Sequence, residues 1–356
     1  MGRPTGGTQE AGHKFAGGGV TRENDIGTSG GTGEAERSTP APPPVGGVLW
    51  SIAGDLRAVM SLPAALVMQV AHPAVSAGVD DYSVFRTDPW GRAERSLRSL
   101  QLWVYGGERA AEEGRRLRRL HASIQGTDAH GRPYRALTPD VYAWVHATGF
   151  PVYQHAQRYL GRPFSPAQER QLYAEWLRVG RILGLRDQDM PRSPEEFWPY
   201  YRAMLRDVIE PTRISQELTS LDLSVPPPDR GPAVLRKLAR AAWPVLLPPL
   251  TRARRFLTVG LMPPEAREAI GLEWTERQER ALRRLGKAVR AVVPVLPERL
   301  RYLPIAREAR REARRTGLGP ARAAGRRKWP ALRVTGRPPS PGDGLFGTGA
   351  EPEPDG

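Results

Sequence analysis

Three histidines stand in contexts that could do chemistry: His72 in Ala-His-Pro, His121 in Arg-Leu-His-Ala-Ser and His146 in Trp-Val-His-Ala-Thr. His121 is the most informative. Leu117, Leu120, His121 and Ile124 recur at i, i+3, i+4 and i+7. That spacing predicts a helix over 109–124 with His121 on its apolar stripe and arginines opposite. Two readings follow. One is a core histidine bonded to a backbone carbonyl; the other is a neutral imidazole that ligates a metal or a haem iron, its second nitrogen fixed by an acceptor. A single helical histidine facing an apolar pocket suits haem, because the porphyrin brings four equatorial ligands, whereas bare zinc needs two or three more protein ligands. The other histidines carry less. His13 lies in a polar N-terminal stretch, His130 sits in the turn Asp-Ala-His-Gly-Arg-Pro and is expected to be solvated, and His155, near a helix end, is expected at the polar surface.

The second constellation is Arg92 with Ser96, which follows the turn Asp88-Pro89-Trp90-Gly91. Residues four apart on a helix share a face. The pair is either an exposed arginine with a serine spacer or a cation and hydroxyl that meet a propionate or an oxygen ligand, since guanidinium grips carboxylate with two parallel bonds. The chain has no cysteine, which removes disulfides, thiolate-ligated zinc, iron–sulfur clusters, cysteine nucleophiles and a thiolate haem ligand. Between residues 47 and 316, Gly-x-Gly-x-x-Gly, the Walker loop, Gly-x-Ser-x-Gly and His-Glu-x-x-His are all missing, which argues against nucleotide and zinc-protease chemistry.

The elements that must position these residues are helical by period. Thr138-Pro139 and Ser165-Pro166 read as helix starts, with the hydroxyl as N-cap and proline in the first turn. Further helices are expected over 195–208, 235–247, 273–293 and 305–315, and alternating strand patterns are nearly absent. No membrane-length apolar run occurs: 56–79 is broken by charges and prolines and reads as buried helix and loop. Residues 241–250 are apolar with three prolines and are expected as a core loop, a surface-seeking elbow being the alternative. Residues 1–46 and 317–356 are rich in Gly, Pro and small polar residues and lack the apolar content that offsets chain entropy, so both read as disordered tails around a domain at 47–316. The net charge of +15 sits largely at the C-terminal end, where eleven Lys and Arg between 307 and 337 face only Glu308 and Glu312. The N-terminal stretch has no apolar core of a secretion signal, which points to a cytoplasmic location.

The motifs around these residues form an ordered set. Gln69-Val70-Ala71-His72-Pro73, Tyr82-Ser83-Val84-Phe85, Asp88-Pro89-Trp90-Gly91-Arg92, Arg95-Ser96-Leu97, Leu120-His121, Tyr134-Arg135-Ala136-Leu137, Trp144-Val145-His146-Ala147-Thr148 and Tyr173-Ala174-Glu175-Trp176 follow one another along the chain. In order and spacing they resemble the oxygenase MpaB family, which shares its domain with the bacterial rubber oxygenases called latex clearing proteins. The resemblance spans roughly 48–315 and implies an all-α, globin-reminiscent domain that holds haem b through one proximal histidine. It implies that His121 ligates the iron, that Arg92 and Ser96 match the family's Arg and Thr near the haem, and that His146 matches a recurrent histidine. His72 in the Ala-His-Pro signature is the fallback ligand. Ser96 replaces the family's Thr, and Tyr82 stands where many relatives carry His. The Glu used as a base by rubber oxygenases has no counterpart, since only Asp80, Asp81 and Asp88 lie between His72 and Arg92.

The leading expectation is therefore an all-α, haem-b-dependent oxygenase that uses dioxygen on an apolar, isoprenoid-like small molecule. The alternatives are a helical protein that binds haem or another apolar ligand without turnover, and a binder of anionic surfaces or nucleic acid through the basic C-terminal tail. That third reading predicts steep salt dependence.

Overall fold

The computed structural model describes residues 40–318, apart from 223–224 and 230–231. The expected tails, except 40–46 and 317–318, lie outside the described residues. The fold is all-α. In chain order the helices are α1 Val48–Ile52, α2 Leu56–Val70, α3 Pro73–Tyr82, α4 Pro89–Tyr105, α5 Arg109–His121, α6 Pro139–Ala147, α7 Gly149–Leu160 and α8 Pro166–Ile182. They continue with α9 Pro194–Asp207, α10 Arg213–Thr219, α11 Ala233–Gly260, α12 Pro264–Ala269, α13 Glu276–Val292, α14 Glu298–Arg301 and α15 Pro304–Arg315. A short antiparallel hairpin, β1 Gln125–Thr127 with β2 Pro133–Arg135, separates α5 from α6 and pairs Gly126 with Tyr134.

Local chemistry explains the boundaries. Ser165 and Thr275 each accept from the backbone three residues on while Gln168 and Gln278 reach back, closing capping boxes at the starts of α8 and α13. Thr138 precedes α6 with Pro139 in the first turn, although its hydroxyl makes no cap. At the sharp α2–α3 bend of 106°, His72 supplies the cap: its Nδ1 accepts from the Ala74 amide at 3.2 Å, and Pro73 lends its fixed φ to the first turn. Asp55 is almost fully buried yet stable there, because it caps α2 and accepts from both Arg57 (2.7 Å) and Arg301 (2.9 Å). The two arginines hold its carboxyl below its ordinary pKa against the opposing effect of burial.

The core lies where α2, α7, α8 and α9 meet. Phe150, Tyr173, Phe197 and Tyr201 are sealed from solvent and interlock, with Phe150 edge-on to Phe197 at 5.0 Å and Phe197 stacked on Tyr201 at 5.9 Å. Glu175 of α8 receives the Val48 and Leu49 amides at 3.1 and 2.6 Å, so the first helix is capped from across the fold. Among the described residues, no single helix is long and apolar enough to cross a membrane.

Three expectations change. The helix that carries His121 ends there, so Ile124 lies beyond it, and Leu120 is 57 % exposed. The buried face of α5 is instead built of small residues, Ala110, Ala111 and Gly114, which let it lie against α8; a Cβ on Gly114 would strike the Ile182 carbonyl. Residues 241–250 form no core loop: α11 runs straight through Pro244, Pro248 and Pro249, with its N-terminal half largely exposed. His155 is not at the surface. It is buried within α7, its Nε2 has no hydrogen-bond partner, and desolvation together with Arg267 pushes its pKa down to about 3.

Candidate functional site

α4 and α5 form an antiparallel helical hairpin whose register is set by polar groups at its closed end. The Ser99 hydroxyl donates to Glu113 at 2.5 Å, and Arg116 clamps the same carboxylate at 2.6 Å. Seven residues along α4, about two turns, this register brings Arg92 level with Leu120 and His121. The buried positions of α4 gather in its C-terminal half, Ser99 to Tyr105, while Ala93 to Ser96 are exposed, so the hairpin is open at the end that carries the predicted site residues.

His121 is half-buried at that end. Its Nδ1 lies 2.8 Å from the Leu117 carbonyl oxygen, and because a carbonyl only accepts, Nδ1 carries the proton. Nε2 therefore keeps its lone pair, and no described residue is bonded to it. Tyr142 of α6 meets the imidazole edge-on at 6.1 Å, and the Arg118 guanidinium lies 6.0 Å from the Tyr142 ring. The ring is thus held in one orientation, with a free nitrogen of the kind that ligates a metal.

Arg92, half-buried in the first turns of α4, donates from Nε to the Ser83 hydroxyl at 2.8 Å. Among the described residues no carboxylate pairs with it. Burial, and to a lesser degree Arg95, lowers its pKa, the mark of a cation short of a counter-charge. Ser96 lies one turn further on and is exposed. Each aspartate upstream is occupied: Asp80 by Arg86 and Arg213 at 2.9 and 2.7 Å, Asp81 by the Tyr134 hydroxyl at 2.9 Å, and Asp88 by the Gly91 amide and Arg95. Tyr82 donates to the Gln125 carbonyl at 2.9 Å.

The other candidate histidines sit elsewhere. His146 is buried against α8, stacked on Trp176 at 4.9 Å, with Nε2 2.9 Å from the Trp176 carbonyl, while the Trp176 indole donates to the His146 carbonyl. Desolvation lowers its pKa to about 4. His72 is the α3 cap, also with its pKa lowered by burial. His130 pairs with Glu210 at 2.7 Å on the exposed surface. The structure thus brings Arg92, Ser96 and His121 to one end of one hairpin, and leaves His72 and His146 in other packing layers. Sequence reasoning did not single out Ser83, which steers Arg92, or Tyr142, which holds His121; Ser83 stands within the Tyr82-Ser83-Val84-Phe85 motif, but only its fold contact reveals its partner. Two surface cavities of about 370 Å³ each, around Gly180 and Met190 and around Trp198 and Arg202, include none of these site residues.

Comparison with known proteins places the chain. The family described as ER-bound oxygenase mpaB/B'/Rubber oxygenase, catalytic domain, matches residues 50–291. An uncharacterized protein of Mycobacterium bovis and one of Mycobacterium tuberculosis are each 27 % identical over 253 residues, covering 67 % of this chain and 91 % of the relative. No solved structure matches. The chain belongs to that oxygenase family.

Proposed function

We propose that this member of the oxygenase family is a haem-b-dependent oxygenase that uses dioxygen on an apolar, isoprenoid-like small molecule, with His121 as the proximal ligand. One observation carries the reading: at the open end of the α4–α5 hairpin, an imidazole with a free Nε2 faces the level of a desolvated guanidinium that has no carboxylate partner. Those are the two requirements of a haem site built on one histidine: His121 would give the iron a neutral nitrogen donor, and Arg92 would give a propionate its cation. Among the described residues no three His, Asp or Glu side chains gather as a bare metal ion would need. A single histidine is thus best used with a cofactor that brings its own equatorial donors. Haem, when bound, supplies the iron and the redox chemistry that side chains lack.

The chain's own groups divide the remaining work. The Leu117 carbonyl fixes the His121 tautomer, and Tyr142 packs edge-on against the ring. Arg92, oriented by Ser83, keeps two guanidinium nitrogens for a carboxylate or an oxygen ligand. Ser96 adds a hydroxyl on the same helix face. His72 and His146 serve as a helix cap and a packing staple that set the frame around α3 and α6.

The purified protein should show a Soret band, as isolated or after haem reconstitution. A chain that stays colourless, or His121→Ala with unchanged haem affinity, would sink the proposal. A second reading, haem binding without turnover, is favoured by the engagement of Asp80, Asp81 and Asp88, the carboxylates between His72 and Arg92, which are thereby taken up and not left as a base. It predicts the Soret band with no alkene-dependent oxygen uptake.

A further inference from the structure

The first five turns of α11 are amphipathic the wrong way round for a helix of a globular body. By helical period, Val234, Leu238, Val245 and Pro249 share one face. The first three are 68 %, 60 % and 76 % exposed. The opposite side meets the protein through Trp243, whose indole donates to the Val225 carbonyl at 2.7 Å and whose ring is edge-on to Trp90 at 6.4 Å. Both sides are therefore apolar, and the ridge that faces outward, from 234 to 249, is about 24 Å long. A solvated helix would carry its charges there.

By helical period Lys237 and Arg255 flank the ridge and Arg252 continues its line, whereas Arg236, Arg240 and Arg254 fall on the Trp243 side. From 230 to 264 the chain has seven Lys and Arg and no Asp or Glu. Asp229 takes up Arg240 at 2.8 Å and approaches Arg236 at 3.7 Å. Lys237 at one flank and Arg252 one turn past the ridge have no such partner among the described residues. An apolar ridge with exposed cations at its flank and at its end, and no acid along it, is the pattern of a helix lying in a bilayer interface, where acyl chains take the ridge and anionic headgroups the cations. The prolines agree with that depth. Pro244, Pro248 and Pro249 have no amide to donate, so the carbonyls of Arg240, Pro244 and Val245 lack their usual partner four residues on and need water or headgroups beside them. A second copy of this chain fits poorly, because a two-fold contact between ridges would bring the same cations together.

We propose that the outward face of α11, from Val234 to Pro249, docks this protein on an anionic lipid surface. Docking there needs no haem. If the site proposed above holds, Trp243 against Trp90 places the start of α4, and hence Arg92, just beneath the docked helix, next to the phase in which an apolar substrate dissolves.

The test is co-sedimentation of the full chain with phosphatidylcholine vesicles, alone or with 30 % phosphatidylglycerol, at low salt and at about 0.5 M. The expected result is binding to the anionic vesicles that is weakened but not abolished by salt. Leu238→Asp with Val245→Asp should reduce partitioning at least tenfold, with the milder pair Leu238→Gln and Val245→Gln as insurance if circular dichroism shows the first to be unfolded. His121→Ala should bind vesicles like the parent, which separates this proposal from the haem site. Absence of binding, or equal binding by the folded ridge variants, overturns the proposal, the latter assigning any binding to the basic C-terminal end alone. Ridge variants that change the sedimentation-velocity oligomer but not vesicle binding also overturn it, in favour of self-association.

Discussion

Where α6 packs on α8, His146 lies flat on Trp176 with its Nε2 on a carbonyl, and the surrounding Phe150, Tyr173 and Phe197 are closed to solvent. At the open end of the α4–α5 hairpin, His121 also has one nitrogen on a carbonyl, but its Nε2 meets no described residue, and Arg92 at the same end has a hydroxyl instead of a carboxylate. Both are helical histidines among aromatics, and sequence pattern alone does not separate them. The difference is in what is left over. Around His146 the ring nitrogen and the ring face are both taken up by Trp176, whereas at the open end an imidazole nitrogen and a guanidinium keep bonding capacity that no described residue takes up.

The largest expected effect falls in the closed region. Phe197→Ala removes a fully buried ring that touches Phe150, Tyr173 and Tyr201, and should destabilise the fold by roughly 3–5 kcal/mol in urea unfolding. A loss under 1 kcal/mol would mean that the cluster is far looser than its geometry. His146→Ala should cost about 2–3 kcal/mol, for the lost stack, the lost bond to the Trp176 carbonyl and the space left in a closed layer. His121→Ala should do the reverse: a stability change under about 1 kcal/mol, because the side chain is half-exposed, with haem affinity down at least a hundredfold. If the two substitutions gave the same pair of outcomes, the distinction between the regions would fail.

The histidines of the closed region also predict a pH dependence. His146 and His155 have folded-state pKa values lowered to about 4 and about 3 by desolvation, while in the unfolded chain they titrate near the ordinary 6.5. Between those values the unfolded state binds more protons, so stability is fully present above pH 6.5 and declines as the pH falls toward 4. Each contributes a slope of at most about 1.4 kcal/mol per pH unit. Unfolding free energies from urea at pH 7.5 and 5.5 should differ by about 2–3 kcal/mol, and His155→Leu should flatten the slope at little cost at neutral pH, since its Nε2 has no partner to lose. A pH-independent midpoint would show that one or both rings are hydrated.

Much of the frame was legible because its signals are local. Ser165-Pro166 with Gln168 announces α8 by a capping box, and the all-α class follows from the period of apolar residues. What escaped was decided by contacts far along the chain. His155 looks like a helix-end residue, yet burial against Arg267 and α11 comes from residues a hundred positions away. The prolines of α11 imply a break, but spaced at 244, 248 and 249 on an exposed face they cost only hydrogen bonds that solvent can replace. On α5 the apolar stripe was read from the large residues, while close packing on α8 selects the small ones. For the site, Arg92, Ser96 and His121 were legible as residue types at a spacing. Ser83 and Tyr142, which orient two of them, were not, because a hydroxyl or an aromatic ring gives no sign in sequence of the partner it will find.

The finest test of the open region is Arg92→Lys. It keeps the charge, so a site that needs only a cation should hardly notice, whereas one that needs a planar fork loses the second parallel bond and the Nε contact that Ser83 now holds. The expected outcome is a haem affinity reduced about fivefold to tenfold, near 1 kcal/mol, with the urea midpoint unchanged. Arg92→Leu should cost more than Arg92→Lys by the lost charge, and that excess should shrink as salt is raised, because the open end of the hairpin is accessible to screening ions. Ser83→Ala belongs in the same series: it leaves the guanidinium in place but unsteered, and should reproduce part of the Arg92→Lys loss while leaving Arg92→Lys itself no worse, since the bond Ser83 accepts is already gone. Additive losses in the double variant would show instead that Ser83 acts apart from Arg92, and the open region would then be an ordinary surface with one unpaired arginine.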